Sequence, residues 1–366
     1  MKTIVVSAVN IRRGGTLRIL RDCLSCLSAM SRQGDYRIVA VVHDKELAHF
    51  DGIEYIEIPW TVGSWARRLW CEYVTLHKLS HKLGPVDLWF SLHDTSPRVH
   101  ARIQAAYFQT AFPFMKLKRN DFKFDYKIAL FGLLTRFAYR INIHRNRYIV
   151  VQAEWLRRNF SRMFGIAPEK FIVAPPEETV PEYFTTAACG SLYRFAYICG
   201  PDCHKNIELL CESARILENR IGKDRFRVSL TLSGAENKYA SWIKREWGGV
   251  GSIEFLGYLS REEVDRCYAA ADCLVFPSRI ETWGLPISEF RHSGKPMLLA
   301  DLPYAYEAAA GSPAVAFIDI DNPENLAARM QELVEGHTDS LAQIDTTEPA
   351  PPSARTWRQL FEILLD

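Results

Sequence analysis

The stretch Asp272–Glu289, with the sequence DCLVFPSRIETWGLPISE, decides the fold class of this chain. Its apolar start predicts a short buried strand over Asp272–Phe276. Pro286 suits the first turn of a helix that begins after the polar loop. A strand, a loop and a helix in this order form the repeating unit of α/β proteins with parallel sheets, so the stretch predicts an α/β domain.

The same alternation of strands and helices extends to both sides of this stretch. In the second half it predicts strands at Phe195–Cys199, Phe226–Leu232, Ile253–Leu256, Pro296–Ala300 and Ala314–Ile318. In the first half it predicts strands at Thr3–Val9, Arg37–Val42, Val86–Leu92, Gln104–Phe108, Tyr148–Val151 and Phe171–Val173. We therefore expect two Rossmann-like, doubly wound α/β domains that face a central cleft, over residues 1–175 and 190–340, with a linker from Ala174 to Gly190.

The composition excludes several classes of protein. The chain has 366 residues, of which 48% are hydrophobic and 24% charged, so it can form sizeable cores and is not disordered. The uncharged stretch Ile128–Thr135 is much shorter than the roughly 20 residues of a membrane span. The start of the chain, with Lys2 and a short apolar run, does not predict a signal peptide. Nine scattered cysteines favour free thiols in a reducing cytosol.

The net charge of +2 hides a strongly basic segment at about 98–162, with fourteen Lys or Arg residues and three acidic ones. Aromatic residues such as Phe122 and Tyr126 lie between the basic residues. Basic residues mixed with bulky apolar ones suit a helix on an anionic membrane surface. A nucleic acid is a competing partner, and a solvated helical face over a core is the plain structural alternative.

The polar loop of the opening stretch holds the candidate site. Ligands of doubly wound sheets bind beyond the carboxyl ends of the strands, where this loop lies. Glu281 lies in the loop and Glu289 about one turn inside the helix, and carboxylates bind sugar or ribose hydroxyls. Gly284 allows close approach of the backbone, and the N–H groups near it suit a diphosphate. Alternatively, Glu281 is a surface residue and Glu289 a salt-bridged helical one.

The stretch Pro277–Glu289 resembles the signature Pro-Ser-x-x-Glu-x-x-Gly-Leu-Pro-x-x-Glu of the family 4 glycosyltransferases. The likeness extends to His204–Ile207, Gly257–Ser260 and Ser293–Pro296, and it covers most of the chain. Members are retaining, nucleotide-sugar-dependent enzymes with the GT-B fold. The resemblance therefore implies a hexosyltransferase of bacterial surface-polysaccharide synthesis, with a C-terminal helix at 354–366 that packs back on the N-terminal domain.

The resemblance also implies roles for residues of the second half. Glu281 would contact the transferred sugar near the reacting carbon, and Glu289 would bind the ribose hydroxyls. Lys205 would neutralise the charge that develops on the leaving phosphate, which preorganised positive charge stabilises. Backbone N–H groups of Gly284 and Leu285 would hold the diphosphate.

Further residues complete the expected donor site. Trp283 would shape the sugar pocket, and Gly14 and Gly15 resemble the glycine loop of the family. Members usually carry an arginine shortly before the phosphate-binding lysine, whereas this chain has Gly200–Cys203 there. Arg279 is one candidate to replace it.

Two polar residues of the first half are candidates on the acceptor side. Gln109 stands where many members have a histidine, so a histidine role does not transfer to it. His93 follows the predicted strand Val86–Leu92 and is a candidate catalytic residue, although a lone histidine is more often structural.

No metal and no bound cofactor are expected. Asp319 and Asp321 match the Asp-x-Asp metal motif of the other glycosyltransferase fold, but Asn322-Pro323 after them predicts a helix start. The cysteines around Cys199 fit no standard zinc spacing. Expected partners are a UDP- or GDP-hexose, a lipid-linked glycan acceptor and the anionic inner face of the plasma membrane, with the enzyme cytoplasmic and peripheral and no nucleic acid bound. The alternative is a non-catalytic sugar-nucleotide or glycan-binding protein of the same fold.

Overall fold

The computed structural model describes residues 1–12, 14–178 and 192–366, and these divide into two compact units. Unit 1 comprises Met1–Pro113, Leu134–Glu177 and Pro349–Asp366, and unit 2 comprises Phe114–Leu133 and Glu178–Glu348. Most of the predicted linker lies outside the described residues. The sequence assigned the whole basic segment to the N-terminal domain, but Phe114–Leu133 groups with unit 2.

Unit 1 contains a seven-stranded sheet in which all neighbouring strands are parallel. The strand order is β3-β2-β1-β4-β5-β6-β7. The strands are β1 (Lys2–Ala8), β2 (Tyr36–Val42), β3 (Ile53–Glu57), β4 (Leu88–Ser91), β5 (Ile103–Phe108), β6 (Tyr148–Val151) and β7 (Phe171–Val173).

Unit 2 contains a six-stranded parallel sheet in the order β10-β9-β8-β11-β12-β13. Its strands are β8 (Tyr193–Tyr197), β9 (Phe226–Leu230), β10 (Ile253–Phe255), β11 (Cys273–Phe276), β12 (Met297–Ala300) and β13 (Val315–Ile318). Both sheets have the doubly wound strand order, in which the direction of winding reverses beside the first strand. The predicted fold class is therefore confirmed.

Helices alternate with the strands in both units. Those of unit 1 or shared with it are α1 (Gly14–Ser31), α2 (Trp65–Trp70), α3 (Leu76–Lys82), α4 (Arg119–Arg140) and α5 (Glu154–Phe164). Those of unit 2 are α6 (Ile207–Ile221), α7 (Lys238–Trp247), α8 (Arg261–Ala270), α9 (Leu285–Phe290), α10 (Pro303–Ala308) and α11 (Pro323–Val334). The last helix, α12 (Trp357–Leu365), belongs to unit 1.

The core of unit 1 covers both faces of its sheet. On one face, Ile4 and Val6 pack in a cluster with residues of α1 and with Leu360 and Phe361 of α12. On the other face, Val5 packs with Val39, Trp89 and the segment that leads into α3. The near-continuous apolar run of β1 follows from this double coverage, because a parallel strand is buried on both sides.

Helix α4 contains the boundary between the units and has an unusual surface. Asp125 has non-helical angles and kinks the helix near its start. Its exposed large apolar residues continue along the chain to just beyond its end: Phe122, Tyr126, Leu130, Leu133, Leu134, Phe137 and Ile141. We call these seven residues the α4 stripe. Within the regular helix after the kink, from Tyr126 to Phe137, their spacing of mostly three or four residues places them along one side of the helix.

Three further observations concern the described part of the chain. None of its helices has the length and apolar character that crossing a bilayer requires. Its eight cysteines are free thiols. It contains no group of three or more His, Cys, Asp or Glu side chains arranged to hold a metal ion.

Candidate functional site

In unit 2, two neighbouring strands carry the candidate site at their carboxyl ends. β8 and β11 pair in parallel at the point where the strand order reverses. The chain leaves β8 toward a 3-10 turn at Cys203–Lys205 and leaves β11 through the loop that holds Glu281. The reversal opens a crevice between the loops of such strands, which is where doubly wound sheets bind ligands.

The turn that ends in Lys205 is fixed by hydrogen bonds to the core and to the neighbouring loop. The hydroxyl of Tyr197 donates to the carbonyl oxygen of Lys205 at 2.7 Å. Asn206, with φ of 56°, donates through Nδ2 to the carbonyl oxygens of Pro277 at 3.3 Å and Ile320 at 2.9 Å. The turn therefore has one defined position at the carboxyl end of β8.

Lys205 and Glu281, for which the family resemblance implies roles in the site, form an ion pair. The Nζ of Lys205 lies 2.5 Å from Oε1 of Glu281, and the two side chains are 17% and 15% exposed. Burial lowers the pKa of Lys205, but the adjacent Glu281 carboxylate more than offsets this, so the pKa lies above its ordinary value. The ammonium is therefore charged at neutral pH and still reaches the surface.

Glu289 lies in α9 with its carboxylate almost enclosed. Oε1 accepts a hydrogen bond from Nη1 of Arg261 at 2.7 Å. The Tyr268 hydroxyl donates to Oε2 at 3.4 Å. This arrangement holds the carboxylate in place about one turn inside a short helix, and it includes the salt bridge that the structural alternative predicts.

The backbone between the two glutamates bends sharply at Gly284. This residue has φ of 97° and ψ of 59° and precedes α9. A side chain there would be strained, and its Cβ would lie 3.2 Å from Cδ1 of Ile287. Trp283 is buried and donates through Nε1 to Oγ of Ser288 at 3.2 Å, and Leu285 is half-buried. The loop is thus rigid around the predicted diphosphate contacts.

Arg279 does not stand where a donor-binding arginine is needed. Its guanidinium is buried, pairs through both Nη atoms with Asp121, and donates to the carbonyl oxygens of Cys203 and Lys116. A guanidinium enclosed in this way cannot also bind a substrate phosphate. The predicted donor role therefore does not fit Arg279 in this structure, where the residue ties Phe114–Leu133 to the rest of unit 2.

In unit 1, the glycines of the predicted loop begin α1. Gly14 is exposed, has φ of 68°, and would meet no atom within 4 Å if it carried a Cβ. Gly15 is the second residue of the helix and is also exposed. The pair follows β1, at the carboxyl edge of the sheet, where the sequence placed it.

His93 follows β4 as predicted but lies inside the unit. Its Nε2 is 3.1 Å from Oγ of Ser7, and its Nδ1 is 2.9 Å from Oγ1 of Thr95 and 3.3 Å from Oε1 of Glu72. Burial lowers the pKa of His93 to about 4. With both ring nitrogens engaged and the side chain enclosed, His93 meets no substrate here, so the catalytic role does not fit.

Gln109 lies beside this network. Its Nε2 donates to the carbonyl oxygen of Leu92 at 2.8 Å, while its buried Oε1 has no hydrogen-bond partner. Its backbone N–H donates to Asp94, which has φ of 61°. Burial raises the pKa of Asp94 to about 6. Gln109 thus keeps one unused acceptor near the carboxyl end of β5.

The Asp-x-Asp sequence is engaged in local contacts. Oδ1 of Asp319 accepts the backbone N–H of Asp321 at 2.9 Å, and the Asp321 carboxylate pairs with Lys118. Asn322 caps α11, as its sequence predicts.

The sequence did not reveal several partners of the site. Arg261 and Tyr268 contact Glu289 from α8, and Asp121 contacts Arg279 across 158 residues of chain. Such long-range pairs leave no spacing signal. The four-residue spacings of Arg68 with Glu72 and of Arg261 with Asp265, which pair at 2.8 Å and 3.0 Å, are local signals that could have been read.

The comparisons with known proteins agree with this geometry. The family model for Glycosyl transferases group 1 matches residues 194–336. The O-antigen chain mannosyltransferase B of Escherichia coli is 29% identical over 157 residues, which are 41% of this chain. The matched region spans 38% of that relative's length.

Solved structures resemble nearly the whole chain in fold. A glycosyltransferase from Rickettsia africae has a TM-score of 0.63 with 14% identity, covering 92% of this chain and 89% of its own. Anabaena HepE, solved with UDP and glucose, has a TM-score of 0.64 with 13% identity, covering 92% and 90%. WaaG, a glycosyltransferase involved in lipopolysaccharide biosynthesis, has a TM-score of 0.63 with 15% identity, covering 91% and 90%. Residues 194–336 therefore resemble the Glycosyl transferases group 1 family, and the chain has the GT-B fold.

Proposed function

We propose that this protein is a retaining glycosyltransferase that moves a hexose from a nucleoside diphosphate sugar to a lipid-linked glycan of a surface polysaccharide. The Lys205–Glu281 pair carries the proposal, because it lies at the carboxyl ends of β8 and β11 within the family-matched region. The O-antigen mannosyltransferase supports the polysaccharide acceptor, and the UDP in HepE supports the nucleotide donor.

The central chemical problem is the leaving group. The bond from the anomeric carbon to the diphosphate oxygen breaks, a bond to the acceptor oxygen forms on the same face of the sugar, and the proton of the acceptor hydroxyl passes to the departing phosphate oxygen. Negative charge then grows on the departing phosphate. The Lys205 ammonium is already charged and held in place, so it stabilises this charge with little reorganisation.

The two glutamates have complementary tasks in this proposal. Glu281 accepts hydrogen bonds from hydroxyls of the transferred sugar while it holds Lys205 in position. Glu289 accepts hydrogen bonds from the ribose hydroxyls, with Arg261 and Tyr268 orienting its carboxylate. The N–H groups of Gly284 and Leu285 bind the diphosphate, and Trp283 shapes the sugar pocket.

We further propose that transfer needs no metal ion, because Lys205 and the loop N–H groups supply the positive charge. Transfer should then continue in EDTA at the rate measured with added magnesium or manganese. Loss of activity in EDTA that magnesium or manganese restores would contradict this part of the proposal.

Nucleotide binding tests the site first. UDP and GDP are titrated by thermal shift against the wild type, Glu289→Gln and the exposed control Glu262→Gln. A nucleotide at about 100 times its Kd stabilises the folded chain by roughly 2.7 kcal/mol. We expect a shift with one of the two nucleotides, weakened in Glu289→Gln and kept in Glu262→Gln.

Turnover separates the enzyme from the alternative, a binding protein of the same fold. The nucleotide that binds identifies the sugar donors to assay with a lipid-linked oligosaccharide. Binding without transfer would favour the non-catalytic alternative. An equal thermal shift in Glu289→Gln and the wild type would contradict the ribose contact.

The α4 stripe supports a peripheral position on an anionic membrane. Its seven exposed apolar residues are accompanied by five exposed basic residues of the same helix, Arg119, Lys123, Lys127, Arg136 and Arg140. Apolar side chains can enter the interface while basic ones contact anionic headgroups. We propose that α4 brings the enzyme to the inner face of the plasma membrane, where a lipid-linked acceptor is located.

Vesicle sedimentation tests this position. We expect the protein to sediment with phosphatidylglycerol vesicles and less with phosphatidylcholine vesicles. The double variant Leu130→Gln/Leu133→Gln should remain in solution, whereas Tyr258→Ser, which removes an aromatic ring that is 93% exposed outside α4, should sediment like the wild type. Equal sedimentation of the double variant and the wild type would contradict the role of α4.

A further inference from the structure

Asp121 and Arg279 form an ion pair enclosed within unit 2. Nη1 of Arg279 donates to Oδ2 of Asp121 at 3.0 Å, and Nη2 donates to Oδ1. The two side chains are 3% and 2% exposed. Asp121 lies in the first turn of α4, where its Oδ2 also accepts the backbone N–H of Lys118 at 2.6 Å. The carboxylate is therefore fixed by both its own helix and the guanidinium.

Arg279 also connects the two chain segments that carry the candidate catalytic pair. Its Nη2 donates to the carbonyl oxygen of Cys203 at 3.1 Å, and its backbone N–H donates to the carbonyl oxygen of His204 at 2.8 Å. Lys205 is the next residue of that turn, and Glu281 follows Arg279 by two residues. The position of the guanidinium thus constrains both members of the Lys205–Glu281 pair.

We propose that Asp121 is a positioning residue of the transfer reaction. Through Arg279 it fixes the Cys203–Lys205 turn against the loop of Glu281, and so holds the Lys205 ammonium where the leaving diphosphate forms. This inference rests on the proposed function of the pair. Asp121 touches neither Lys205 nor substrate, and its effect passes through the two Nη atoms of Arg279.

Docking of the segment Phe114–Leu133 does not depend on this ion pair alone. The ring of Phe124 stacks on Trp242 at 4.9 Å, and Nδ2 of Asn120 donates to Oε1 of Glu208 at 3.2 Å. The exposed pair Lys118–Asp321 joins the same segment to the end of β13. Loss of the Asp121 charge therefore leaves the segment attached, so positioning can be separated from docking.

The test compares Asp121→Asn with the matched control Asp321→Asn. Both changes replace an aspartate whose side chain pairs across the same segment, but only the partner of Asp121, Arg279, donates a hydrogen bond to the Lys205 turn. We expect Asp121→Asn to lower kcat by about tenfold or more, because a small displacement of a preorganised group is costly. In Asp121→Asn the KM for the donor should change by less than about twofold. In the control Asp321→Asn, kcat and KM should both change by less than about twofold.

A double variant separates positioning from stability. In Asp121→Leu/Arg279→Met no charge remains buried without a partner, and such a replacement is often neutral for stability. We expect the thermal midpoint to recover from that of Asp121→Asn while kcat stays low, because the hydrogen bond to Cys203 is absent. Recovery of kcat together with the midpoint would overturn the proposal.

Hydrogen exchange gives a readout that does not need turnover. In Asp121→Asn the amides of 203–206 and 278–282 should exchange faster, and in Asp321→Asn they should exchange as in the wild type. Unchanged exchange in Asp121→Asn overturns the positioning role even if the wild type shows no transfer. If Asp121→Asn exchanges faster but the wild type shows no transfer, the positioning role stands and only the proposed function is contradicted.

Discussion

In both units the strand order reverses between two neighbouring strands, β1 and β4 in unit 1 and β8 and β11 in unit 2. Each reversal carries ionisable side chains. In unit 1 the His93 and Glu72 side chains are 0% exposed, whereas in unit 2 Lys205 and Glu281 are 17% and 15% exposed. The same topological position therefore holds a sealed network in one unit and an open pair in the other.

The number of polar partners explains this difference in chemical terms. Glu72 is held by Arg68, Thr95 and His93, which together occupy its carboxylate. The Lys205 ammonium has three N–H donors and, among the described residues, Glu281 as its side-chain partner. The open pair keeps bonding capacity for a ligand, and the sealed network does not. Topology thus selects candidates, and unused bonding capacity distinguishes a site from a support.

The largest expected effect is the loss of the open pair's cation. Lys205→Met should lower kcat by roughly 10²–10³-fold, the range for removing one preorganised donor to a developing anion. The control is Lys295→Met, because the Lys295 ammonium donates to the backbone carbonyls of Ala269 and Ala271 and has no place in the site. Lys295→Met should keep the wild-type kcat. Similar losses of kcat in both variants would contradict the specific role of Lys205.

The second-largest expected effect is a loss of stability when the sealed network loses its carboxylate. Glu72→Gln leaves Arg68 without its buried counter-charge, so the free energy of unfolding should fall by about 3 kcal/mol or more. Turnover per folded molecule should stay near the wild-type value. Urea denaturation and kcat measured on the same preparation check both statements. A large loss of kcat at unchanged stability would instead make unit 1 part of the chemistry.

The pH dependence should also identify the sealed network. Folded His93 stays neutral down to about pH 4, whereas the unfolded chain takes up the proton near pH 6.5. Protonation therefore favours unfolding, and this part of the stability is lost as pH falls from about 6.5 to 4. The stability advantage of wild type over His93→Gln should shrink by about 3 kcal/mol across that range. An equal advantage at both ends would contradict the enclosed, neutral histidine.

The smallest expected effect is a change of stability at an exposed ion pair that lies outside both the sealed network and the open pair. Arg37 and Glu54 pair at 2.8 Å across β2 and β3, and both are substantially exposed. Glu54→Gln should change the free energy of unfolding by less than about 1 kcal/mol, because solvent screens such pairs. If Glu54→Gln lowered the free energy of unfolding as much as Glu72→Gln, burial would not explain the difference between the two ion pairs.

Local pattern was enough to predict most of the fold. Strands β6 and β7 begin and end at the predicted residues, because their apolar runs are short and sharply bounded. Strand β3 was missed, since it is only half-buried and lies at the edge of the sheet. The kinked helix α4 was not delimited, because its apolar residues face outward and obscure the usual amphipathic pattern.

The candidate site was predictable only in part. Lys205 and Glu281 were found through the family resemblance, and the structure brings their side chains together. The sequence could not show which of the candidate side chains are enclosed by other parts of the chain. Whether Arg279 and His93 reach a ligand depends on Asp121 and Glu72, which belong to distant segments and fold over them.

The division of the chain between the units also affects how the protein is made. The sheet of unit 1 is covered by Trp357, Leu360 and Phe361 of α12, which the ribosome adds after every strand of unit 2. Unit 2 needs Phe114–Leu133, which is synthesised early and is available when Arg279 emerges. Domains usually complete in the order of synthesis. Here the order is reversed, and the N-terminal sheet is the last to be covered.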